Sequence, residues 1–301
     1  MKVLVTGVAG QLGYDVVNEL SKRGLIVVGT DIKPEKESIN KANWKKYYQC
    51  DIADKNQVDS LINSVKPSAI IHCAAWTNVD GAEEPNNKPL VKKINVDGTD
   101  NLVKATKRIG AKILYISTDY VFNGDGIRPW EPDNKDYAPL NYYGQTKLEG
   151  ELSVSSQLNK YFIVRIAWVF GLNGNNFIKT MLKLADRGYK ELRVVDDQMG
   201  TPTYTYDLAR LLVDMIQTDK YGYYHATNEG GYISWADFAE EIFKQTNKEV
   251  KVNRVTTEEY GVSIAKRPFN SRLDKSKLIK NGFKPLPNWK DALRRYLKQI
   301  S

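Results

Sequence analysis

The stretch "KVLVTGVAGQLG", residues 2–13, opens as a continuous apolar run and then breaks into glycine. Apolar residues without polar alternation read as a strand covered on both faces. Gly7, Gly10 and Gly13 then lie between that strand and a helix starting near Leu12, whose Leu12, Val16, Val17 and Leu20 share one face and whose stop is Gly24. The spacing is G-x-x-G-x-x-G rather than the better-known G-x-G-x-x-G, but the physics is shared. Glycines let the backbone turn sharply and approach a pyrophosphate, while the helix N-terminus offers unpaired N–H groups and a positive dipole end. The next strand-like run, "LIVVGTD" (25–31), ends on Asp31, an acid placed for a ribose diol. Together these features predict dinucleotide binding at the first strand–helix turn.

The same rhythm continues outward. "YYQCDI" (47–52), "AIIHCAA" (69–75), "KILYIST" (112–118) and "FIVRIAW" (162–168) are strand-like, separated by helical patterns through Val58–Val65, near 86–108 and at 142–158. Apolar strands alternating with amphipathic helices, joined by right-handed crossovers, predict an α/β fold: a Rossmann-type doubly wound parallel sheet. After Trp168 the elements shorten and mix, with Pro268, Pro285 and Pro287 as punctuation. The predicted division is a dinucleotide-binding domain over 1–170 plus about 197–227. A smaller mixed α/β substrate lobe then takes about 171–196 and 228–301.

The totals restrict function. Only two histidines and two cysteines occur, all in strand-like runs. That leaves no set for a His-based metal site or a Ser–His triad, and the cysteines read as buried thiols. No apolar stretch approaches the ~18 residues of a membrane span. The net charge of +8 is scattered through "KANWKK", "LVKKI" and "RRYLKQ", which reads as a solvated surface rather than a nucleic-acid footprint. A soluble cytoplasmic protein with a small anionic ligand is expected, with no membrane or nucleic-acid partner.

"NYYGQTKLEGE" (141–151) poses a choice between adjacent tyrosines. Residues four apart share a helix face, so Tyr143 can meet Lys147, whereas Tyr142 is paired in that spacing with Thr146. A free tyrosine, with a pKa near ~10, is a poor proton shuttle at neutral pH. A neighbouring ammonium would lower that value, so Lys147 is expected to depress the pKa of Tyr143.

With these residues in view, the chain resembles the extended short-chain dehydrogenase/reductase family. The resemblance rests on the glycine triplet, "INVDGTDNL" (94–102), "STDYVFNGDG" (117–126) and Tyr143-x-x-x-Lys147. The strings "PLNYYGQTKLEGE", "WVFGLNGNNFIKTML", "VVDDQMGTPT" and "RPFNSRLD" look like its dTDP-4-dehydrorhamnose reductase branch, along essentially the whole chain. The resemblance implies NAD(P)H-dependent reduction of the 4-keto group of dTDP-4-dehydro-L-rhamnose, in nucleotide-sugar and polysaccharide biosynthesis. It implies Thr118, Tyr143 and Lys147 as catalytic residues. For the cofactor it implies Gly7, Gly10, Gln11, Leu12, Gly13, Asp31, Asp51, Ile52, Ala74, Ala75, Thr77 and Asn95 with Tyr143 and Lys147. For the sugar nucleotide it implies Thr118, Asp119, Val121, Trp168, Asn176, Lys179 and Arg267.

Departures from neighbouring patterns narrow the chemistry. Related dehydratases carry Asp-Glu after the threonine, whereas Asp119 is followed here by Tyr120, which disfavours elimination. A related 4-epimerase or 4-ketoreductase, or a non-catalytic regulatory subunit built on this fold, are the alternative readings. Some members of the branch dimerise through Mg²⁺ held by carboxylates. Asp15 could stand at one such position, but "TYTYDLA" supplies no clear second acid, so no metal is expected and a homodimer stays open. Asp31 favours NADH, with NADPH possible because Lys33 lies two residues on.

Overall fold

The apolar runs become strands because each must hide both faces. The computed structural model describes residues 1–37, 43–261 and 263–300. Its central sheet contains β1 (Lys2–Thr6), β2 (Ile26–Asp31), β3 (Lys46–Gln49), β4 (Ala69–His72), β5 (Lys112–Thr118), β6 (Tyr161–Ile166) and β7 (Gly222–His225). Every neighbouring pair is parallel, in the order β7-β6-β5-β4-β1-β2-β3. The order reverses between β1 and β4, and the crevice beyond the carboxyl ends there is where open α/β sheets take their ligands.

Strand alternation divides the core into two layers. Val3 and Val5 of β1 point into one cluster, with Val16, Val17 and Leu20 of the first helix and Leu208, Leu212 and Ile216 of the helix Thr205–Ile216. Leu4 points into the other, with Val58, Leu61 and Ile62 from the helix Lys55–Val65 and Leu102 from Gly98–Ile109. Both faces of the sheet are covered, which establishes the doubly wound α/β architecture. Cys50 is buried and Cys73 half-buried, both as free thiols.

A third apolar cluster lies off the sheet. It joins Phe170, Ile178 and Tyr204 to Phe238 and Ile242 of the helix Trp235–Gln245, and to Trp289, Leu293 and Tyr296 of the helix Trp289–Ile300. The accompanying strands come as short pairs, such as Glu191–Val195 beside Lys251–Val255. No helix among the described residues is long and apolar enough to cross a membrane.

One predicted helix is not continuous. The segment near 86–108 runs as Lys88–Lys92, a π-helical turn Lys93–Asp97, and Gly98–Ile109. The wider turn directs Asn95 into the protein, where it is 1% exposed. Such bulges often occur at functional sites.

Candidate active site

The turn after β1 is shaped by what its glycines lack. Gly7 takes φ +69°, and a Cβ there would meet the Ala74 backbone N at 2.7 Å. A Cβ on Gly13 would lie 2.1 Å from the Gly7 carbonyl oxygen, so only glycine lets the first helix, Gln11–Lys22, seat this close to the turn. Gly10 is the N-cap and supplies no capping side chain, which leaves the first-turn N–H groups of Gln11, Leu12 and Gly13 without a side-chain cap. This cradle fits a dinucleotide pyrophosphate. Asp31 ends β2 beside it, its carboxylate accepting from Ala9 N–H at 2.9 Å and Lys33 N–H at 3.2 Å. Asp51 and Ile52 follow β3; the Asp51 carboxylate accepts from Ala53 N–H at 2.9 Å, and Ile52 is buried.

The loop after β4, carrying Ala74, Ala75 and Thr77, is fixed from within. Ala74 N–H donates to Thr6 Oγ1 at 3.2 Å, and Thr6 Oγ1 lies 2.8 Å from His72 Nδ1. His72 Nε2 lies 3.2 Å from Thr99 Oγ1, which donates to the Asn95 carbonyl at 2.7 Å. That last donation makes Thr99 Oγ1 the acceptor of an Nε2–H, so Nδ1 accepts from Thr6. Burial, helped by the Lys147 charge, holds the His72 pKa down to about 3, consistent with this neutral ring. The Asn95 side chain receives Trp76 N–H at 2.8 Å and donates to Thr146 Oγ1 at 3.1 Å, joining the loop to the helix Tyr142–Gln157.

That helix starts at Asn141, whose Oδ1 accepts Gly144 N–H at 2.8 Å. A Cβ on Gly144 would lie 2.3 Å from the Tyr120 carbonyl oxygen, so this residue lets the helix press onto the turn after β5. A glycine inside a helix costs about 1 kcal/mol, and it is the sequence signal for this contact. The two tyrosines diverge as their spacing requires. Tyr142 turns to the Lys88 ammonium, 5.1 Å from its ring, while Tyr143 packs edge-on against Tyr120 at 5.9 Å.

Tyr143 lies near Thr118, which stands at the carboxyl end of β5. Thr118 Oγ1 donates to Asp119 Oδ1 at 3.0 Å; the other carboxylate oxygen of Asp119 is buried with no hydrogen-bond partner among the described residues. Burial raises the Asp119 pKa to about 6, with the neighbouring Ser271 and Thr118 hydroxyls opposing. The Tyr143 phenol is pushed well above its ordinary value, first by burial and then by the Asp119 charge, with the nearby Thr118 hydroxyl opposing. This reverses the expectation that Lys147 would make Tyr143 more acidic. The Lys147 ammonium is engaged elsewhere: it donates to the Ile116 carbonyl at 2.7 Å and lies 4.1 Å from the Tyr115 ring. Burial lowers its pKa to about 7, with Glu151 and then Cys73 opposing.

Across from this cluster, Trp168 is half-buried with a left-handed φ of 51°. Such backbone in a bulky residue is held only where its surroundings dictate it. The indole stacks on Trp235 at 3.8 Å, a partner that no local pattern singles out. Arg267 grips Asp80, also unforeseen, through Nη2–Oδ2 at 2.7 Å and Nη1–Oδ1 at 3.2 Å. Val121 is fully buried with Phe122, Ala167 and Leu273, beneath the site rather than on its surface. Asn176 caps the helix Phe177–Asp186, accepting Lys179 N–H at 3.0 Å, and its amide donates to the Gly171 carbonyl and the Tyr296 hydroxyl. The Lys179 ammonium donates to the Leu172 and Gly174 carbonyls. No cluster of three or more metal-capable side chains occurs among the described residues.

The family model described as the RmlD substrate binding domain matches residues 1–301. The spore coat polysaccharide biosynthesis protein SpsK of Bacillus subtilis (strain 168) is 37% identical over 300 residues, covering 100% of this chain and 98% of that one. The dTDP-4-dehydrorhamnose reductase of Escherichia coli (strain K12) is 36% identical over 313 residues, covering 100% and 98%. Among solved structures, the dTDP-4-dehydrorhamnose reductase of Bacillus anthracis str. Ames, in complex with NADP, superposes with a TM-score of 0.89 at 39% identity, covering 99% of each chain.

Proposed function

The chain belongs to the family of the RmlD substrate binding domain, that of the dTDP-4-dehydrorhamnose reductases, and from that premise we propose that it reduces dTDP-4-dehydro-L-rhamnose to dTDP-L-rhamnose with NAD(P)H. The observation that carries this reading is the gathering of Thr118, Tyr143 and Lys147 at the carboxyl end of β5, two strands from the glycine turn, with Lys147 donating to the Ile116 carbonyl of that strand.

Bound NAD(P)H supplies the hydride that reduces the sugar's C4 carbonyl. The glycine turn and the open first turn of the helix hold the pyrophosphate, and Lys147 holds the nicotinamide ribose. Tyr143 gives its phenol proton to the alkoxide forming on the C4 oxygen, and Thr118 hydrogen-bonds that oxygen. The raised pKa of Tyr143 suits this direction. It keeps the phenol protonated at neutral pH, and an alkoxide is basic enough to take that proton. The half-buried Trp168, braced by Trp235, offers its face to the sugar, with Arg267 and Lys179 as cations toward the diphosphate.

Asp31 supports a preference for NADH with measurable NADPH activity, because a 2′-phosphate would approach a carboxylate already anchored to the glycine turn. The division into a sheet domain and a substrate lobe, a cytoplasmic location and a possible homodimer complete the proposal. The test is NADH and NADPH oxidation with dTDP-4-dehydro-L-rhamnose beside its epimers. Turnover of the L-rhamnose precursor above the others is expected. Absence of turnover with every 4-keto sugar nucleotide would overturn the reading and favour a regulatory role.

A further inference from the structure

The segment "GLNGNN" (171–176) connects three parts of the molecule. It follows Phe170, whose two-residue strand continues from Trp168, and it leads into the helix Phe177–Asp186, which contributes Ile178 and Met181 to the third apolar cluster. Between these ends it reaches back to the glycine turn. The Asn173 amide donates to the Ala9 carbonyl at 2.5 Å and the Gly10 carbonyl at 3.4 Å, while Asn176 Nδ2 reaches Gln11 Oε1 at 3.3 Å. The segment is closed on itself by Lys179, whose ammonium donates to the Leu172 carbonyl at 2.6 Å and the Gly174 carbonyl at 2.8 Å. Gly174 N–H donates to Asn173 Oδ1 at 3.1 Å, fixing the direction of the amide.

In a trans peptide the C=O and the following N–H point opposite ways. Holding the Ala9 and Gly10 carbonyls on Asn173 therefore turns the Gly10 and Gln11 N–H groups away from it. The Gly10 N–H donates to the Gly7 carbonyl, closing the turn, and Gln11 N–H belongs to the open first turn that receives the pyrophosphate. We propose that Asn173 is a positioning residue, the clasp through which dinucleotide and sugar nucleotide favour each other's binding. This rests on the function proposed above. The clasp joins the turn proposed for the pyrophosphate to the segment leading into Asn176 and Lys179, so either ligand, by stabilising its own side, favours the hydrogen bonds the other side shares, which is positive coupling without a large movement.

The experiment titrates NADPH by fluorescence with and without saturating dTDP, for wild type, Asn173→Ala and Asn173→Asp, with melting temperatures as the folding control. In the wild type dTDP should tighten NADPH about fivefold, at the lower end of ordinary couplings. Asn173→Ala should weaken NADPH about five- to tenfold, the loss of one hydrogen-bonding group, and reduce the dTDP effect to less than about twofold. Asn173→Asp, which sets a carboxylate against the same two carbonyls, should be weaker still. A wild type without coupling, or folded variants that keep both affinity and coupling, would overturn the clasp. Normal coupling in a wild type that turns over no 4-keto sugar nucleotide would instead overturn the proposed activity and leave the clasp standing.

Discussion

The glycine turn after β1 and the Thr118–Tyr143–Lys147 cluster lie at the carboxyl ends of the same sheet, yet they are held by opposite means. The turn is built by omission: a Cβ on Gly7 or Gly13 would strike backbone within 3 Å. The cluster is built by engagement: Thr118 donates to Asp119, Lys147 donates to the Ile116 carbonyl, and Tyr143 packs edge-on against Tyr120. A site made of backbone holds its ligand through N–H groups that no titration alters. A site made of buried side chains shifts their protonation, and that is where the chemistry belongs.

The sharpest way to break this contrast is to remove one hydroxyl from the cluster. Tyr143→Phe should lower kcat by about 10²–10⁴, the usual worth of a general acid, and leave the NADPH dissociation constant within about twofold, since the pyrophosphate is held by the turn. Tyr142→Phe, on the Lys88 side of the helix, should be close to wild type. Steady-state kinetics with fluorescence titration reads both, and a larger kcat loss in Tyr142→Phe would reverse the assignment.

The complementary change adds one methyl group to the turn. Gly13→Ala should weaken cofactor binding and cost roughly 1–3 kcal/mol of stability, the range for overpacking a tight contact. The readouts are NADPH titration and denaturant unfolding. If the variant retains wild-type affinity and midpoint, the turn is not built by omission.

A buried carboxylate next to the turn gives the pH dependence. Asp15 is 5% exposed, accepts a hydrogen bond from Thr205, and is raised by burial to about 6. In the unfolded chain it titrates near ~3.9. Between these values the unfolded chain releases its proton first, so folding stability falls as pH rises from about 4 to 6 and the penalty is complete above that. Asp15→Asn keeps an acceptor for Thr205 without the charge. It should be more stable than wild type at pH 8 by about 1–3 kcal/mol, and the gap should close below pH 4. Thermal melts across that range check the sign.

The smallest expected effect concerns Asp31, which braces the turn and in the proposed function faces the ribose. Asp31→Ala should shift the NADH-to-NADPH ratio of kcat/KM toward NADPH by about tenfold or less, near the 1–1.4 kcal/mol of one charge–charge contact. A wild type already strongly favouring NADPH would mean that another cation governs the position.

Much of the fold was legible because its signals are local. Strand-like runs located six of the seven strands of the sheet, and Lys112–Thr118 came out at its predicted bounds. The helical spacing of Tyr143 and Lys147 anticipated that the two tyrosines diverge, Tyr142 toward Lys88 and Tyr143 toward Tyr120. It misjudged the electrostatics, because spacing gives a shared face and says nothing about which acceptor an ammonium chooses. The π turn at Asn95 escaped for a similar reason: one extra residue in a helix leaves the apolar pattern almost unchanged.

The sequence by itself determined the parallel sheet, the glycine turn and the residue types of the Thr118–Tyr143–Lys147 cluster. All of these depend on periodicity or on glycine within a dozen residues. Only the tertiary structure decided that Asp80 would hold Arg267, that Trp235 would brace Trp168, and that Asn173 would reach Ala9 from 164 residues away. Each of these is a meeting of distant segments. Hydrogen bonds and ring contacts act over a few ångströms of space, and a pattern along the chain carries no record of which remote residue will fill that space.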